Sequence, residues 1–394
     1  MAPKSNVANA LKKNTMLIAL FAVMILFQIM ITTSGRGSLF APANISNLIN
    51  QNSYVVILAT GMLLCILTGG NIDLSVGSIV AVVGAVAGTL IVNMHMNIYL
   101  AIVFCLLSGI AIGAWQGFWI AYVRIPPFIV TLAGMLLWRG VALLILNGLT
   151  ISPFPSNYLQ YFTSFIPGGE VDSSTVFTVT MVVGILASLI FVILRIIDRK
   201  KKQAKQYEVE PLVFMVAKSV IIPVVVLTMS FLLGKHKGIP VVLVLAAIVV
   251  FVYSFYTSRT VPGRHLYAFG GNEKAAKLSG IDTNRVLFSV YLNMGFLSAV
   301  AALVCVARFN SAAPTAGQNY ELDAIGSCFI GGASAYGGIG TVGGAVIGAI
   351  FMGVLNNGMS ILGIDSNWQK AVKGLVLLIA VVFDVVSKKQ VKSH

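Results

Sequence analysis

A chain with about a dozen apolar runs, each close to the length of one bilayer crossing, has few folds open to it. The hydrocarbon layer takes about 20 mainly apolar residues of helix to cross, and backbone groups inside it must be satisfied within the protein. The runs lie near 15–33, 53–70, 76–93, 98–121, 128–147, 175–195, 212–233, 239–257, 286–307, 322–335, 340–360 and 369–386. They cover most of the 394 residues, 58% of which are hydrophobic and 10% charged. A mean hydropathy of +0.93 is far outside the range of a soluble domain. The expected fold is an all-α polytopic membrane protein of about 12 transmembrane helices (10 to 12), some short or broken. The run at 322–335 is too short and Gly-rich for a regular crossing.

The net charge of +14 does not point to nucleic acid, because the basic residues are not clustered on a soluble face. Lys4, Lys12 and Lys13 precede the first run; Arg195, Arg199, Lys200, Lys201, Lys202 and Lys205 follow the sixth; Arg259, Arg264, Lys274, Lys277 and Arg285 follow the eighth; Lys388, Lys389 and Lys392 close the chain. With twelve crossings and a cytoplasmic N-terminus, all four clusters and Arg124 fall inside, as the excess of Lys and Arg on cytoplasmic loops requires. The division is then a basic N-terminus at 1–14, one transmembrane domain at 15–387 and a cytoplasmic tail at 388–394. Within the domain, 195–211 and 258–285 are cytoplasmic loops, and 148–174, with Glu170 and Asp172 but no Lys or Arg, is extracytoplasmic. Arg36, Lys235, Lys237 and Arg308 go against the rule. Removing the crossing at 322–335 would put the C-terminus outside and worsen the count. No small-residue cleavage site follows the first run, which reads as a retained span. Cys65, Cys105, Cys305 and Cys328 stand singly in apolar segments, with neither disulfide nor metal spacing.

Polar residues at membrane depth discriminate further. In TGGNIDLSVGSIVAVVG, residues 68–84, Asn71, Asp73, Ser75 and Ser78 interrupt an apolar run. An ionised Asp is costly in hydrocarbon, so the helix should break at Gly69 or Gly70, and Asp73 or Ser75 either caps the next helix or stands beside a translocation path. Arg139 lies about 16 Å into its helix at the helical rise; it must pair with an acid such as Asp73 or face water. Residues 316–358 hold Glu321 and Asp323, a short helix, a Gly-rich turn and a Gly-faced helix, a pattern suited to non-helical backbone lining a cavity or buried in protein. The GGIGTVGG tract lacks the Gly-Lys-Ser/Thr of a phosphate loop. Residues 72–78 and 322–327 echo each other over too few positions to exceed chance. Asn71, Asp73, Ser75, Arg139, Asp323, Asn356 and Asn357 are the translocation candidates, although Asn356 and Asn357 equally suit bonds between helices. His95, His236, His265 and His394 map to loops or the tail, and no catalytic set or metal site is visible.

The stretch 258–285 is the one long polar and basic segment of the second half. Asn272 is suited to cap a helix, Glu273 complements its positive end, Glu273 and Lys277 are spaced i and i+4, and Gly280 stops the helix after about two turns. Ala275, Ala276, Leu278 and Ile281 supply a small apolar face, fitted to docking or to resting on the membrane surface.

Gly263-Arg264-x-x-Tyr267-Ala268-x-Gly270-Gly271-Asn272-x-x-Ala275-Ala276-x-x-Ser279-Gly280-Ile281 resembles the cytoplasmic coupling motif in permease subunits of bacterial ABC importers for monosaccharides, the ribose, xylose and galactose class. Residues 72–78, Pro127 to Leu132 and Glu321 to Ile325 are similar to the family's other signature stretches, in the same order. The resemblance runs from about residue 44 to the C-terminus. The additional pair of spans around 195–211 makes the chain most like xylose and multiple-monosaccharide permeases. It implies two permease copies as a homodimer in the bacterial cytoplasmic (inner) membrane, two cytoplasmic ABC ATPase subunits and an extracytoplasmic sugar-binding protein. Gly271, Asn272, Glu273, Ala275, Ala276, Ser279 and Gly280 would form the coupling helix. No cofactor is expected in this chain, ATP and Mg being bound by the partner ATPase. A gradient-driven secondary sugar transporter also fits the span count, with Asp73 and Asp323 as its only relay candidates; an intramembrane enzyme fits least.

Overall fold

The computed structural model describes residues 15–169, 171–207, 209 and 212–392, without the side chains of residue 15 and of 383–392. Lys4, Lys12, Lys13, Glu170 and His394 lie outside the described residues, as do the side chains of Lys388, Lys389 and Lys392. The regular secondary structure is helical apart from one two-residue strand pair, Phe165–Ile166 with Ile239–Pro240, and one isolated bridge. Among the described residues ten helices are long and apolar enough to cross a membrane. These are α1 (Thr15–Thr33), α2 (Pro42–Leu67), α3 (Val76–Ala87, continued by a wider turn over Gly88–Asn93), α4 (Ile98–Ala121), α5 (Pro127–Leu146), α7 (Ser173–Ala204), α8 (Leu212–Gly234), α9 (Val241–Arg259), α12 (Thr283–Phe309) and α14 (Val342–Ile361). Between them lie α6 (Ser156–Thr163), α10 (Val261–Gly271), α11 (Glu273–Leu278) and α13 (Tyr320–Ile330); α15 (Ser366–Lys392) closes the chain. The all-α polytopic class expected from the apolar runs is the observed one.

The centre of the bundle is α2, α3, α12 and α14, most of whose residues are buried, whereas α7 and α8 pack chiefly on each other. Small residues permit the close approach, as they do between helices in lipid. On α12, Gly295 lies against the Gly109 carbonyl and Gly113 of α4; on α14, Gly348 lies against the Ser327 carbonyl and Gly353 against Asn52.

Three boundaries differ from the sequence reading. The sixth span does not stop near 195 but runs on as α7 to Ala204, so that most of the expected loop 195–211 is helical. The second span starts at Pro42, not near 53, with proline in its first turn, where a missing N–H costs nothing. Its polar opening is satisfied by protein: Asn44 and Asn357 exchange amide hydrogen bonds of 2.9 and 3.1 Å, and Asn52 donates to the Ala349 carbonyl at 2.6 Å. The run at 322–335 becomes α13, 11 residues or about 16 Å of helix, too short to cross alone. Non-helical chain completes the crossing. Ala312 is bridged to Ile151 beyond the end of α5, whereas the turn after α13 reaches the end of α2, where Gly338 N–H donates to the Leu67 carbonyl at 3.0 Å. The chain therefore passes between the two ends of the bundle in this segment.

Candidate functional site

Two interrupted helices meet inside the bundle. After α2 the chain turns back through 68–75 before α3 begins, and after α12 it runs non-helically through 310–319 before α13 begins. At the crossing Gly77 and Gly317 lie so close that a Cβ on either would collide with the other's carbonyl. Gly317 has φ +72°, a left-handed conformation that favours glycine. The first echoing stretch, 72–78, thus meets the chain at Gly317 through its Gly77, outside the second echoing stretch 322–327.

Three polar networks hold these breaks. Asp73 Oδ1 accepts from Ser75 N–H at 2.8 Å and Ser75 Oγ at 2.6 Å, and Gln116 Nε2 of α4 donates to Ser75 Oγ at 2.7 Å. All three residues are buried. Asp73 therefore closes the turn before α3; Ser75 stands at the N-cap of that helix and makes no side-chain capping bond. Arg139 does not pair with Asp73, the acid named for it from sequence alongside the alternative of facing water. Its Nη1 donates to the carbonyls of Pro314 at 3.1 Å and Ala316 at 2.5 Å, with Glu321 as its acidic neighbour. Carbonyls freed by the non-helical segment give a cation within the bundle the partners it needs. In the third network Tyr54 OH donates to Asp323 Oδ2 at 2.9 Å, and Lys373 Nζ of α15 lies 2.9 Å from Asp323 Oδ1. Sequence reading missed Lys373 because its partner is 50 residues away on another helix.

Asn357 serves the amide pair with Asn44, and Asn71 donates to the Thr68 carbonyl at 2.7 Å. Asn356 Oδ1 is buried without a hydrogen-bond partner among the described residues. The structure thus does not gather the seven candidates into one site. What it leaves on the chain's own surface at the break is different: Thr315 and Gln318 are exposed, with Asn319 and Glu321 half-buried beside them. Gln318 lies in a sequence stretch identified as irregular, but its side chain could not be singled out by polarity alone.

At the end of the bundle where α2 finishes, 258–285 folds as two helices instead of the single one expected. Thr260 caps α10, accepting from Gly263 N–H at 3.1 Å, and Pro262 sits in its first turn; Thr-Val-Pro was the overlooked start signal. Tyr267 OH donates to the Gly340 carbonyl at 2.9 Å, and burial pushes this phenol above its usual pKa, so it stays a donor. Gly270 approaches the Leu67 carbonyl and Gly338 more closely than a side chain would allow. The second helix, α11, forms as its residues imply: Asn272 Oδ1 accepts from Ala275 N–H at 3.0 Å, and Gly280, at φ +85°, follows the cap. Its surroundings depart from expectation. Glu273 Oε1 bonds to Arg124 Nη1 at 2.6 Å, and Arg124 also reaches Thr283 Oγ1 at 3.0 Å and Asn284. One cation from the α4–α5 loop thereby ties α11 to the start of α12. Ala276 is buried, whereas Leu278, expected on the same apolar face, is 90% exposed.

Residues 44–381 match the family of branched-chain amino acid transport system permease components. The chain is 38% identical over 375 residues to the xylose transport system permease protein XylH of Escherichia coli K12, covering 95% of this chain and 92% of that protein. It is similarly 38% identical over 378 residues to XylH of Haemophilus influenzae, covering 95% and 96%. To the ribose import permease protein RbsC of Escherichia coli K12 it is 35% identical over 372 residues, covering 94% of each. No solved structure matches the chain.

Proposed function

The chain belongs to the family of branched-chain amino acid transport system permease components, and from that membership we propose that it is the membrane-spanning subunit of an ATP-driven importer of monosaccharides, xylose or a related pentose or hexose. The names of its sugar-permease relatives support the substrate class. The observation that carries the transport reading is the exposed polar face at the helix break. Non-helical backbone at membrane depth is tolerated only against protein or water, yet Thr315 and Gln318 are exposed on this chain. They are read as facing a wet path, completed by a second copy, down which a hydroxyl-rich solute exchanges water for protein partners. Half-helix ends meeting in the bundle are the usual setting for such a path.

The end bearing Arg124 and the two short helices is placed in the cytoplasm, following the excess of Lys and Arg there. Leu278, an isolated exposed apolar side chain beside Lys274 and Lys277, is the anchor for a cytoplasmic ATPase. That partner would bind ATP and Mg, and a separate extracytoplasmic protein would deliver the sugar. Force on α11 has two routes into the bundle: through Glu273 and Arg124 to α12, and through α10 to Gly340 and the end of α2. A cytoplasmic pull could in this way shift the helices that bracket the break. Asp73 and Asp323, the relay candidates for gradient-driven transport, are engaged by Ser75 and by Tyr54 and Lys373.

The test is uptake of labelled pentoses and hexoses into proteoliposomes holding this chain, its ATPase and its binding protein. ATP-dependent uptake of one class is expected. Uptake without the ATPase, driven by a proton or sodium gradient, would support the secondary-transporter reading instead.

A further inference from the structure

The helix pair α7 and α8 is held to the bundle more loosely than the other spans. Its two members pack on each other through Gly184 against Ser230 and Gly234 against Phe177, and most of their large apolar side chains are exposed. At 32 residues, α7 is about 48 Å long and outlasts a hydrocarbon layer of about 30 Å. Its last turns, from Arg195 onward, therefore project beyond the hydrocarbon into the headgroup layer.

Between these turns, the start of α8 and the end of α9 lies a hollow of about 650 Å³. Its cations are Arg195, Arg199, Lys201, Lys202, Lys218 and Arg259, and Asp198 is its one acid among the described residues. Asp198 is engaged with Lys202 at 2.8 Å, and Arg199 reaches Met215 Sδ at 3.8 Å. Phe191, Leu194 and Met215 line it with apolar surface. The cationic excess does not depend on any of these groups being unpaired. Counted from sequence, 195–218 together with Arg259 carries eight Lys and Arg against three acids, Asp198, Glu208 and Glu210. A hollow at headgroup depth with several cations and an apolar wall matches a phosphodiester joined to acyl chains, since clustered Lys and Arg attract anionic headgroups.

We propose that the cleft between α7, α8 and α9 binds one anionic phospholipid by its phosphate, the acyl chains running along the apolar faces of α7 and α8. The lipid would fill the gap that leaves the pair loosely attached, and so dock it to α9.

The full-length protein, reconstituted in discs of phosphatidylcholine with or without phosphatidylglycerol, tests this through the lipid retained after detergent extraction. Wild type is expected to keep phosphatidylglycerol selectively. A Lys201→Gln/Lys202→Gln/Arg259→Gln variant should bind it about a hundredfold more weakly, at about 1 kcal/mol for each of the three cations. A control of equal charge loss, Arg264→Gln/Lys274→Gln/Arg285→Gln, should retain it. Equal loss in both variants would mean diffuse surface attraction and overturn the proposal. So would displacement by soluble glycerol phosphate, since the site would then take a free phosphate. If the triple variant does not fold, a photoactivatable phosphatidylglycerol on the wild-type protein decides: labels at 191–218 and around Arg259 support the site, and labels elsewhere refute it.

Discussion

With its Lys373 ammonium 2.9 Å from a carboxylate that is itself 2% exposed, the pair with Asp323 ties α15 to α13 and, through Tyr54, to α2. Removing one partner of a buried pair strands the other charge, at a cost of about 3–5 kcal/mol. Lys373→Met should therefore lower the melting temperature of the purified protein markedly, and adding Asp323→Asn should recover most of the loss. Equal melting of the single and double variants would refute the pairing. Gly317→Ala should also destabilise, by about 1–3 kcal/mol as for an overpacked core, because the Gly77 carbonyl occupies that space. At this scale the sequence marked Asp73, Arg139 and Asp323 as residues needing partners, since charge in hydrocarbon is expensive. It did not name those partners. Asp73 is answered by Ser75 two residues on, but Lys373 and the carbonyls of Pro314 and Ala316 are 50 to 177 residues from the charges they meet, and no local pattern encodes such pairs.

Among the elements, α11 was the most legible, because its signals are local: a capping Asn272, an acidic first turn and a stopping Gly280. Its orientation was not, since whether Ala276 or Leu278 faces inward depends on where α10 and α12 hold the helix. The two residues now separate docking from folding. Leu278→Glu should abolish recovery of the ATPase with this chain while leaving the melting temperature nearly unchanged, as surface substitutions usually do within about 0.5 kcal/mol. Ala276→Glu places a carboxylate in a buried position, so it should destabilise the protein itself. Loss of stability in Leu278→Glu would show that its exposure serves no partner. The other short helix, α10, was overlooked although Thr260 and Pro262 announce it, because the polar stretch was read as loop around one helix.

For the molecule as a whole, the polar surface at the break makes a claim about water. All four cysteines are free and buried, so the native protein gives a low background for thiol labelling. Gln318→Cys should react with a membrane-impermeant maleimide in the assembled transporter, and the sugar should slow the reaction. A cysteine at Leu144, 81% exposed on α5, should stay unlabelled if that face meets lipid. Labelling of Leu144→Cys with none at Gln318→Cys would place the aqueous path elsewhere.

Sequence alone determined that this chain is an all-α membrane protein, roughly where its helices run and where the short helix α11 forms, because hydrophobic length and capping are properties of neighbouring residues. Only the tertiary structure decided that the run at 322–335 is a short helix between non-helical turns, that Asp73 closes a turn, and that Arg139 answers to carbonyls. Those outcomes depend on which segments the bundle brings together. A buried charge announces its need locally, but its partner is chosen by packing.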